Sequence, residues 1–257
     1  MKALFLCDID NTILFSWRSR REGDLCVEWI GGKEQGYLTP GEAEAAWKIR
    51  EETVFCHVTT RSIEQTLRIS WPERMRPDYS VVTNGGHLLI QGKADLSWRA
   101  EMEKEILPFR RELSDLYRHL FGRPDFRVVR IVDDSYLFVS CRDGGSPRKV
   151  EEELRSWTRM EVRSSGRKVY VFPPGISKGR AAEMLKARLK PRLLLAAGDS
   201  PIDVPMLRLA DYALVPDAKL GEIVGGNGVF FPGEMERFPD FVFRAAADLL
   251  QGREPSR

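Results

Sequence analysis

Short, wholly apolar runs that end abruptly at acidic residues are the feature that most constrains the fold of this chain. The run Ala3–Cys7 ends at Asp8 and Asp10, and a second run over residues 193–197 is followed by Gly-Asp at 198–199. Runs of this length that do not alternate are typical of strands buried on both faces. Because segments with helical spacing separate them, the sequence predicts an α/β fold whose core is a doubly wound, Rossmann-like parallel sheet.

The middle of the chain has a different pattern. Its apolar runs are shorter, several alternate with polar residues, and turn signals such as DDS and DGGSP separate them. This pattern predicts antiparallel strands, and helical spacing over residues 99–120 and 147–157 predicts two covering helices. We therefore expect an inserted α+β cap domain at 87–172, between two parts of the core at 1–86 and 173–257. The runs assigned to the inserted sheet are HLLIQG, RVVRIV, SYLFVSC, MEVRSS and KVYVFP.

Composition excludes several classes of protein. The chain has 257 residues, of which 42% are hydrophobic and 30% charged, so it can bury a substantial core. Its 40 Lys and Arg are nearly balanced by 38 Asp and Glu, which argues against nucleic acid as the main partner. No run approaches the roughly 18 apolar residues of a membrane span, and the first apolar run is too short for a signal peptide. We expect a cytoplasmic protein with a small-molecule ligand and no membrane partner, and the oligomeric state is left open.

Two pairs of acidic residues follow the predicted core strands. Asp8 and Asp10 end the first strand, and Asp199 and Asp203 follow a later strand at a spacing of about one helical turn. Either pair alone is typical of turns and helix caps. Together they are expected at one edge of the sheet, because open parallel sheets bind their ligands beyond the carboxyl ends of the strands. An all-oxygen cluster of this kind suits Mg²⁺.

A lysine and two threonines fall at the same predicted edge. Lys178 lies in the first turn of a helix that Ser177 caps, where a cation is unfavourable unless an anion is nearby. Thr59 and Thr60 follow the strand VFCHV and can offer hydroxyl and backbone donors to a phosphate. Each residue alone has an ordinary explanation as a solvated lysine or a turn residue. Their coincidence with the four acids predicts a phosphate site.

Four segments, in this order, resemble the sequence motifs of the haloacid dehalogenase (HAD) superfamily of phosphatases. They are DIDNT, VTTRS, GISKG and GDSPIDVPML, and they lie in both terminal parts of the chain. The unit inserted between the second and third motifs, with VVTNGG at its entrance, is similar to the large α/β cap of the Cof-like and sucrose-phosphatase-like branch. The resemblance implies a Mg²⁺-dependent phosphomonoester hydrolase that acts on a sugar phosphate or a similar small phosphorylated metabolite.

The resemblance also implies a role for each matching residue. Asp8 would attack phosphorus and become an aspartyl-phosphate, and Asp10 would move protons as general acid and base. Asp8, the main-chain carbonyl of Asp10, and Asp199 would hold Mg²⁺, and Asp203 would support the metal through water. The phosphate would be bound by Thr59, Thr60, Arg61, Asn84 and Lys178, and Lys178 and Asp203 would complete the catalytic set.

Two departures from the family pattern leave alternatives open. Ile202 stands where relatives commonly have asparagine, and Thr60 stands where they often have glycine. They motivate one alternative, a sugar-phosphate-binding regulatory module with little turnover. The other alternative is a phosphomutase of the same superfamily, which differs only in whether a second hydroxyl or water receives the phosphoryl group. The polar segment at 16–38 is interpreted as a solvated hairpin, although the arginines of its RSRR run could reach an anionic substrate.

Overall fold

The computed structural model describes residues 1–226 and 228–255. Its strands are β1 (Ala3–Cys7), β2 (Phe15–Ser16), β3 (Leu25–Ile30), β4 (Lys33–Leu38), β5 (Thr53–Val58), β6 (Tyr79–Val82), β7 (His87–Ile90), β8 (Lys93–Ala94), β9 (Phe126–Val132), β10 (Tyr136–Cys141), β11 (Glu161–Ser165), β12 (Lys168–Phe172), β13 (Leu194–Ala197), β14 (Tyr212–Leu214) and β15 (Val229–Phe230). Its helices are α1 (Glu42–Ile49), α2 (Ile63–Leu67), α3 (Leu96–Ile106), α4 (Arg110–Leu120), α5 (Pro147–Trp157), α6 (Lys178–Leu189), α7 (Val204–Leu207), α8 (Ala218–Val224) and α9 (Phe238–Leu250). Within the described ranges, none of these helices combines the length and the hydropathy needed to cross a bilayer.

Eight strands form one large sheet at the centre of the core. Their order is β15-β14-β13-β1-β5-β6-β7-β8, and the strands from β15 to β6 run parallel. This arrangement confirms the predicted α/β class with a doubly wound parallel core. The strand order reverses between β1 and β13, which is the place where an open parallel sheet forms its ligand crevice. Asp8 directly follows β1 and Asp199 follows β13, so both lie at this point.

Strand β1 is apolar throughout because both of its faces are covered. Phe5 and Cys7 pack with side chains of α1 and α9, whereas Leu4 and Leu6 pack with side chains of α6. Burying one such large side chain contributes about 1.5–3 kcal/mol. An apolar residue is therefore favoured at every position of β1 until the chain leaves the core at Asp8.

The second sheet, here called the cap sheet, is antiparallel and has the order β11-β12-β10-β9. Helices α4 and α5 cover one face of it with apolar side chains. The alternate residues of the same strands form the inner face, where Tyr136, Tyr170 and Phe172 cluster and Ile202 of the core packs against them. The inner face of the cap sheet is therefore docked on the core.

Strand β7, expected in the inserted sheet, belongs to the core sheet, and that part of the prediction was wrong. It pairs antiparallel with β6, and Trp98 and Met102 of α3 pack into the same apolar cluster as Leu4. The helix expected over 99–120 is divided into α3 and α4 by a 3₁₀ turn that contains Pro108, and α4 alone of the two packs on the cap sheet. A short strand has the same periodicity in either sheet, so the sequence pattern does not distinguish the two positions. The domain limits at 87 and 172 stay predictions.

Residues 16–38, interpreted from sequence as a solvated hairpin, lie in a third sheet with the order β2-β4-β3. Leu38 belongs to the core, and Glu28 is only 3% exposed. Arg20 forms an exposed ion pair with Glu34 at 3.3 Å. The solvated interpretation was therefore wrong for the side of this sheet that faces the core.

Candidate active site

The amino end of α6 places a buried ammonium group at the edge of the core sheet. The Ser177 hydroxyl accepts a hydrogen bond from the Arg180 N–H at 3.1 Å and caps the helix, so Lys178 lies in the first turn. The Lys178 ammonium donates to the Asp8 carboxylate at 2.5 Å and also to the Asp203 carboxylate. Its side chain is 2% exposed. The two carboxylates supply the negative charge that a cation at this end of a helix requires.

Three carboxylates surround this lysine. One oxygen each from Asp8, Asp199 and Asp203 lies within 4.8 Å of the others. Burial and the charge of Asp203 raise the pKa of Asp199 to about 7, and burial also raises the pKa of Asp8. Burial lowers the pKa of Lys178, but its two carboxylate partners more than offset this and leave that pKa raised. Three carboxylates around one ammonium leave uncompensated negative charge, and a hard cation with oxygen ligands such as Mg²⁺ fits this donor set.

The loop after β13 holds Asp203 in place. Its second carboxylate oxygen accepts hydrogen bonds from the Ser200 N–H at 2.9 Å and the Ser200 hydroxyl at 2.8 Å. A Cβ at Gly198 would lie 2.5 Å from the Cβ of Asp203, so only glycine fits there. Asp203 therefore uses both of its oxygens within the protein, and Asp8 and Asp199 have the freer carboxylate oxygens.

Asp10 does not belong to this acidic group and pairs with Arg61 instead. The Nε and Nη2 atoms of Arg61 donate to its two carboxylate oxygens at 2.8 and 2.7 Å. Burial raises the pKa of Asp10, but the charge and hydrogen bonds of Arg61 outweigh burial and leave that pKa below its ordinary value. Arg61 therefore favours the carboxylate form of Asp10.

Glu28 of β3 binds the other side of Arg61. Its carboxylate accepts from Nη1 and Nη2 of Arg61 at 2.8 and 3.0 Å and from Nη2 of Arg68 at 2.8 Å. The Gln65 carbonyl accepts from Nη1 of Arg61 at 3.2 Å. These contacts engage all five N–H groups of Arg61. A direct contact between Arg61 and phosphate stays a prediction.

Thr59 and Thr60 follow β5 at the same edge. Thr59 is buried, and its hydroxyl accepts a hydrogen bond from the Arg61 N–H at 3.1 Å. The Thr60 carbonyl accepts from the Tyr136 hydroxyl at 2.6 Å, which joins the core to the cap sheet. Their contacts with a phosphate stay predictions.

Asn84 lies in a turn that contacts the segment before α6. Its side-chain amide donates to the Ile176 carbonyl at 3.1 Å, and the residue is 2% exposed. The next residue, Gly85, has a φ of 117°, and a Cβ there would lie 2.9 Å from the Ser177 carbonyl oxygen. This turn fixes the position from which Lys178 enters the site. A phosphate contact by Asn84 stays a prediction.

A cavity of about 640 Å³ lies between the core and the inner face of the cap sheet. Asp10, Thr60 and Arg61 line it from the core side. Its volume is in the range of small-ligand sites. The charged and aromatic side chains of the cap sheet that line it are Arg127, Arg130, Tyr136, Phe138, Lys168 and Tyr170.

Sequence reasoning missed these cap residues and Glu28. Alternation in RVVRIV, SYLFVSC and KVYVFP was visible and indicated one covered face, but which residues turn toward the core depends on how the cap sheet docks. No local pattern marked Glu28, because a buried acid in a polar segment is evident only from its arginine partners.

Comparisons with known proteins place this geometry in a fold family. No family model matches the sequence, and no curated protein matches it. A sucrose-phosphatase from Synechocystis sp., solved with sucrose and phosphate, matches with a TM-score of 0.62 and 15% identity, over 98% of this chain and 99% of that chain. The C-terminal domain of a C. albicans trehalose-6-phosphate phosphatase matches with a TM-score of 0.57 and 12% identity, over 98% and 92%. A phosphatase of the HAD enzyme superfamily from Bacteroides thetaiotaomicron matches with a TM-score of 0.56 and 15% identity, over 90% of both chains.

Similarity at these identities defines the fold. The chain has the α/β fold of the HAD phosphatases. More particularly, it has a large α/β cap between its second and third motifs, and it aligns over nearly its whole length with the sucrose-phosphatase structure. The resemblance carried by the four sequence motifs is confirmed at the level of the fold.

Proposed function

We propose that this protein is a Mg²⁺-dependent phosphomonoester hydrolase that forms an aspartyl-phosphate on Asp8. The observation that carries the proposal is the buried pairing of Lys178 with Asp8 and Asp203, beside Asp199, where the strand order of the core sheet reverses. We further propose a sugar phosphate or a similar small phosphorylated metabolite as substrate. The sucrose-phosphatase and the trehalose-6-phosphate phosphatase that share the fold support this choice.

Asp8 supplies the nucleophile. Lys178 holds one of its oxygens, while the other has only a long contact of 3.4 Å with the Thr12 hydroxyl and is free to attack phosphorus. The attack forms the bond between this oxygen and phosphorus and breaks the bond between phosphorus and the leaving oxygen. Lys178 offsets the negative charge of the transferring group. Mg²⁺, held by Asp8, Asp199 and the main-chain carbonyl of Asp10 with Asp203 acting through water, would supply further charge compensation.

Asp10 moves the protons. In the first step it donates a proton to the leaving alkoxide, and in the second it accepts one from the water that hydrolyses the aspartyl-phosphate. Arg61 favours the carboxylate, which is the form that the second step requires. For the first step Asp10 must carry a proton, taken from solvent or kept from the water of the preceding turnover, and it must give up a hydrogen bond from Arg61 to donate to the leaving oxygen.

The test is release of inorganic phosphate from an aryl phosphate, with Mg²⁺ and with a chelator. We expect Mg²⁺-dependent release by the wild type and none above background by Asp8→Asn. Asp143→Asn is the matched control, because the Asp143 side chain is 92% exposed and lies on the cap. Equal rates for the wild type and Asp8→Asn would overturn the nucleophile assignment. Conversion of a hexose phosphate into its isomer would identify a phosphomutase, and binding without release would identify a regulatory module.

A further inference from the structure

We propose that the substrate carries a second anionic group, a carboxylate or a second phosphate, and that Arg130 and Arg127 of the cap bind it. This inference rests on the proposed function, because it concerns the cap wall of the cavity in which the phosphomonoester would be hydrolysed. It specifies a substrate class that the fold alone does not define.

The inner face of the cap sheet carries cations beside aromatic rings. Arg130 lies opposite Phe138, which lies opposite Tyr170, and Lys168 lies opposite Ser140. Neighbouring strands are about 4.8 Å apart, so the strands that carry Arg130 and Lys168, with one strand between them, lie about 10 Å apart. The aromatic rings between them can pack against the body of a ligand whose charged groups meet the cations.

The cavity lining contains more cations than its carboxylates neutralise. It has five cationic side chains and two carboxylates, Asp10 and Glu28. Both carboxylates already bind Arg61, and Glu28 binds Arg68 as well. The lining cations without a carboxylate partner, within residues 1–226 and 228–255, are Arg127, Arg130 and Lys168.

Among the residues that the structure describes, Arg130 has no carboxylate partner, whereas another arginine of the cap has two. Its Nε is buried without a hydrogen-bond partner among the described residues, and its guanidinium lies 5.4 Å from the centre of the Phe138 ring. Arg123, just before β9, instead pairs with Asp125 at 3.0 Å and Glu153 at 2.7 Å. A buried donor without a partner is unfavourable, and a guanidinium matches carboxylate or phosphate oxygens. An anionic ligand group in the cavity would supply the charge partner that the protein does not give this guanidinium.

These cations have an alternative use, which is to bind the transferred phosphate itself. Lys168 fits that use, since it lines the same cavity as the Asp10 carboxylate, and Tyr170 and Asp10 raise its pKa. Arg130 and Arg127 belong to β9, the edge strand of the cap sheet, and β10 separates β9 from the strand β12 that carries Lys168. We therefore assign them to the second anionic group.

Matched substrates separate the two uses. We would compare kcat/KM for glycerol 3-phosphate with 3-phosphoglycerate, and for fructose 6-phosphate with fructose 1,6-bisphosphate. The first pair tests a carboxylate and the second pair tests a second phosphate. The wild type is expected to favour the more anionic member of at least one pair by about tenfold or more, mainly through a lower KM. Arg130→Met should remove most of that preference and leave the other member within about twofold.

Two further variants keep the test decisive. If Arg130→Met fails to fold, Arg127→Met takes its place and is expected to lower the same preference. Arg111→Met is the control, because Arg111 lies on α4 and its side chain is 95% exposed. The inference is overturned if the wild type has no preference in either pair, or if Arg130→Met slows both members equally. If no substrate releases phosphate in an Asp8-dependent reaction, the proposed function itself fails. This result can be distinguished from the two that overturn the inference, because in both of those the wild type still releases phosphate.

Discussion

Mg²⁺ is expected to stabilise this protein more strongly at pH 8 than at pH 6. The reason is Asp199, whose pKa burial and the neighbouring Asp203 raise to about 7 without a metal. Mg²⁺ binds the carboxylate form, so a proton on Asp199 competes with the metal. Because this pKa lies above that of an unfolded aspartate, the metal-free protein also loses stability as the pH rises through 7.

The size of the effect follows from the pKa. A group with a pKa of about 7 is roughly nine-tenths protonated at pH 6 and roughly one-tenth protonated at pH 8. The apparent affinity for Mg²⁺ therefore changes about tenfold between the two pH values, which equals about 1.4 kcal/mol. For a chain of this size, that free energy corresponds to a difference of about 3–6 °C in the Mg²⁺-induced rise in Tm.

The assay is thermal unfolding with a chelator and with excess Mg²⁺ at both pH values. Asp199→Asn should lose most of the Mg²⁺-induced rise and its pH dependence, because it removes both the ligand and the titrating group. Asp143→Asn, with its exposed side chain, should behave like the wild type. An equal Mg²⁺-induced rise at pH 6 and pH 8, or an Asp199→Asn variant that responds as the wild type does, would refute the reasoning.

Three other changes test the packing around the site. Lys178→Met leaves Asp8 and Asp203 buried without their ammonium partner, so urea titration should show a loss of about 3–5 kcal/mol of unfolding free energy. Phosphate release should be abolished as well. An unchanged midpoint of urea unfolding would contradict this expectation. Gly198→Ala should lower kcat, because its Cβ would lie 2.5 Å from the Cβ of Asp203, and a fully active variant would mean that the loop adjusts without cost. His57 has no hydrogen-bond partner for either ring nitrogen among the described residues, and burial lowers its pKa to about 3. Below pH 6.5 the imidazole therefore takes up a proton in the unfolded state but not in the folded state. The free energy of unfolding of the wild type should fall by about 2 kcal/mol between pH 7 and pH 5 through this residue. His57→Leu should lack that part of the pH dependence.

Local sequence pattern was enough to predict the class of fold. The uninterrupted apolar run of β1 required cover on both faces, and this requirement led to the parallel sheet. Chain order then placed Asp8 and Asp199 at the same edge, because parallel strands all end there. The structure brings them together with Asp203 and Lys178, while the catalytic roles of these residues stay proposals.

The sequence predicted less well wherever the outcome depended on partners far apart in the chain. Asp10 follows the same strand as Asp8, yet its carboxylate pairs with Arg61, and Arg61 in turn meets Glu28. Strand β7 has a periodicity that suits either sheet, and its pairing with β6 decided its place.

By itself, therefore, the sequence determined the parallel core and the edge at which its acids and lysine gather, because burial period and strand direction are local properties. Only the tertiary structure decided which carboxylate faces the ammonium group, which faces a guanidinium, and which cap residues line the cavity. Those outcomes depend on the docking of the cap sheet and on ion pairs between distant segments, for which no short stretch of sequence carries a pattern.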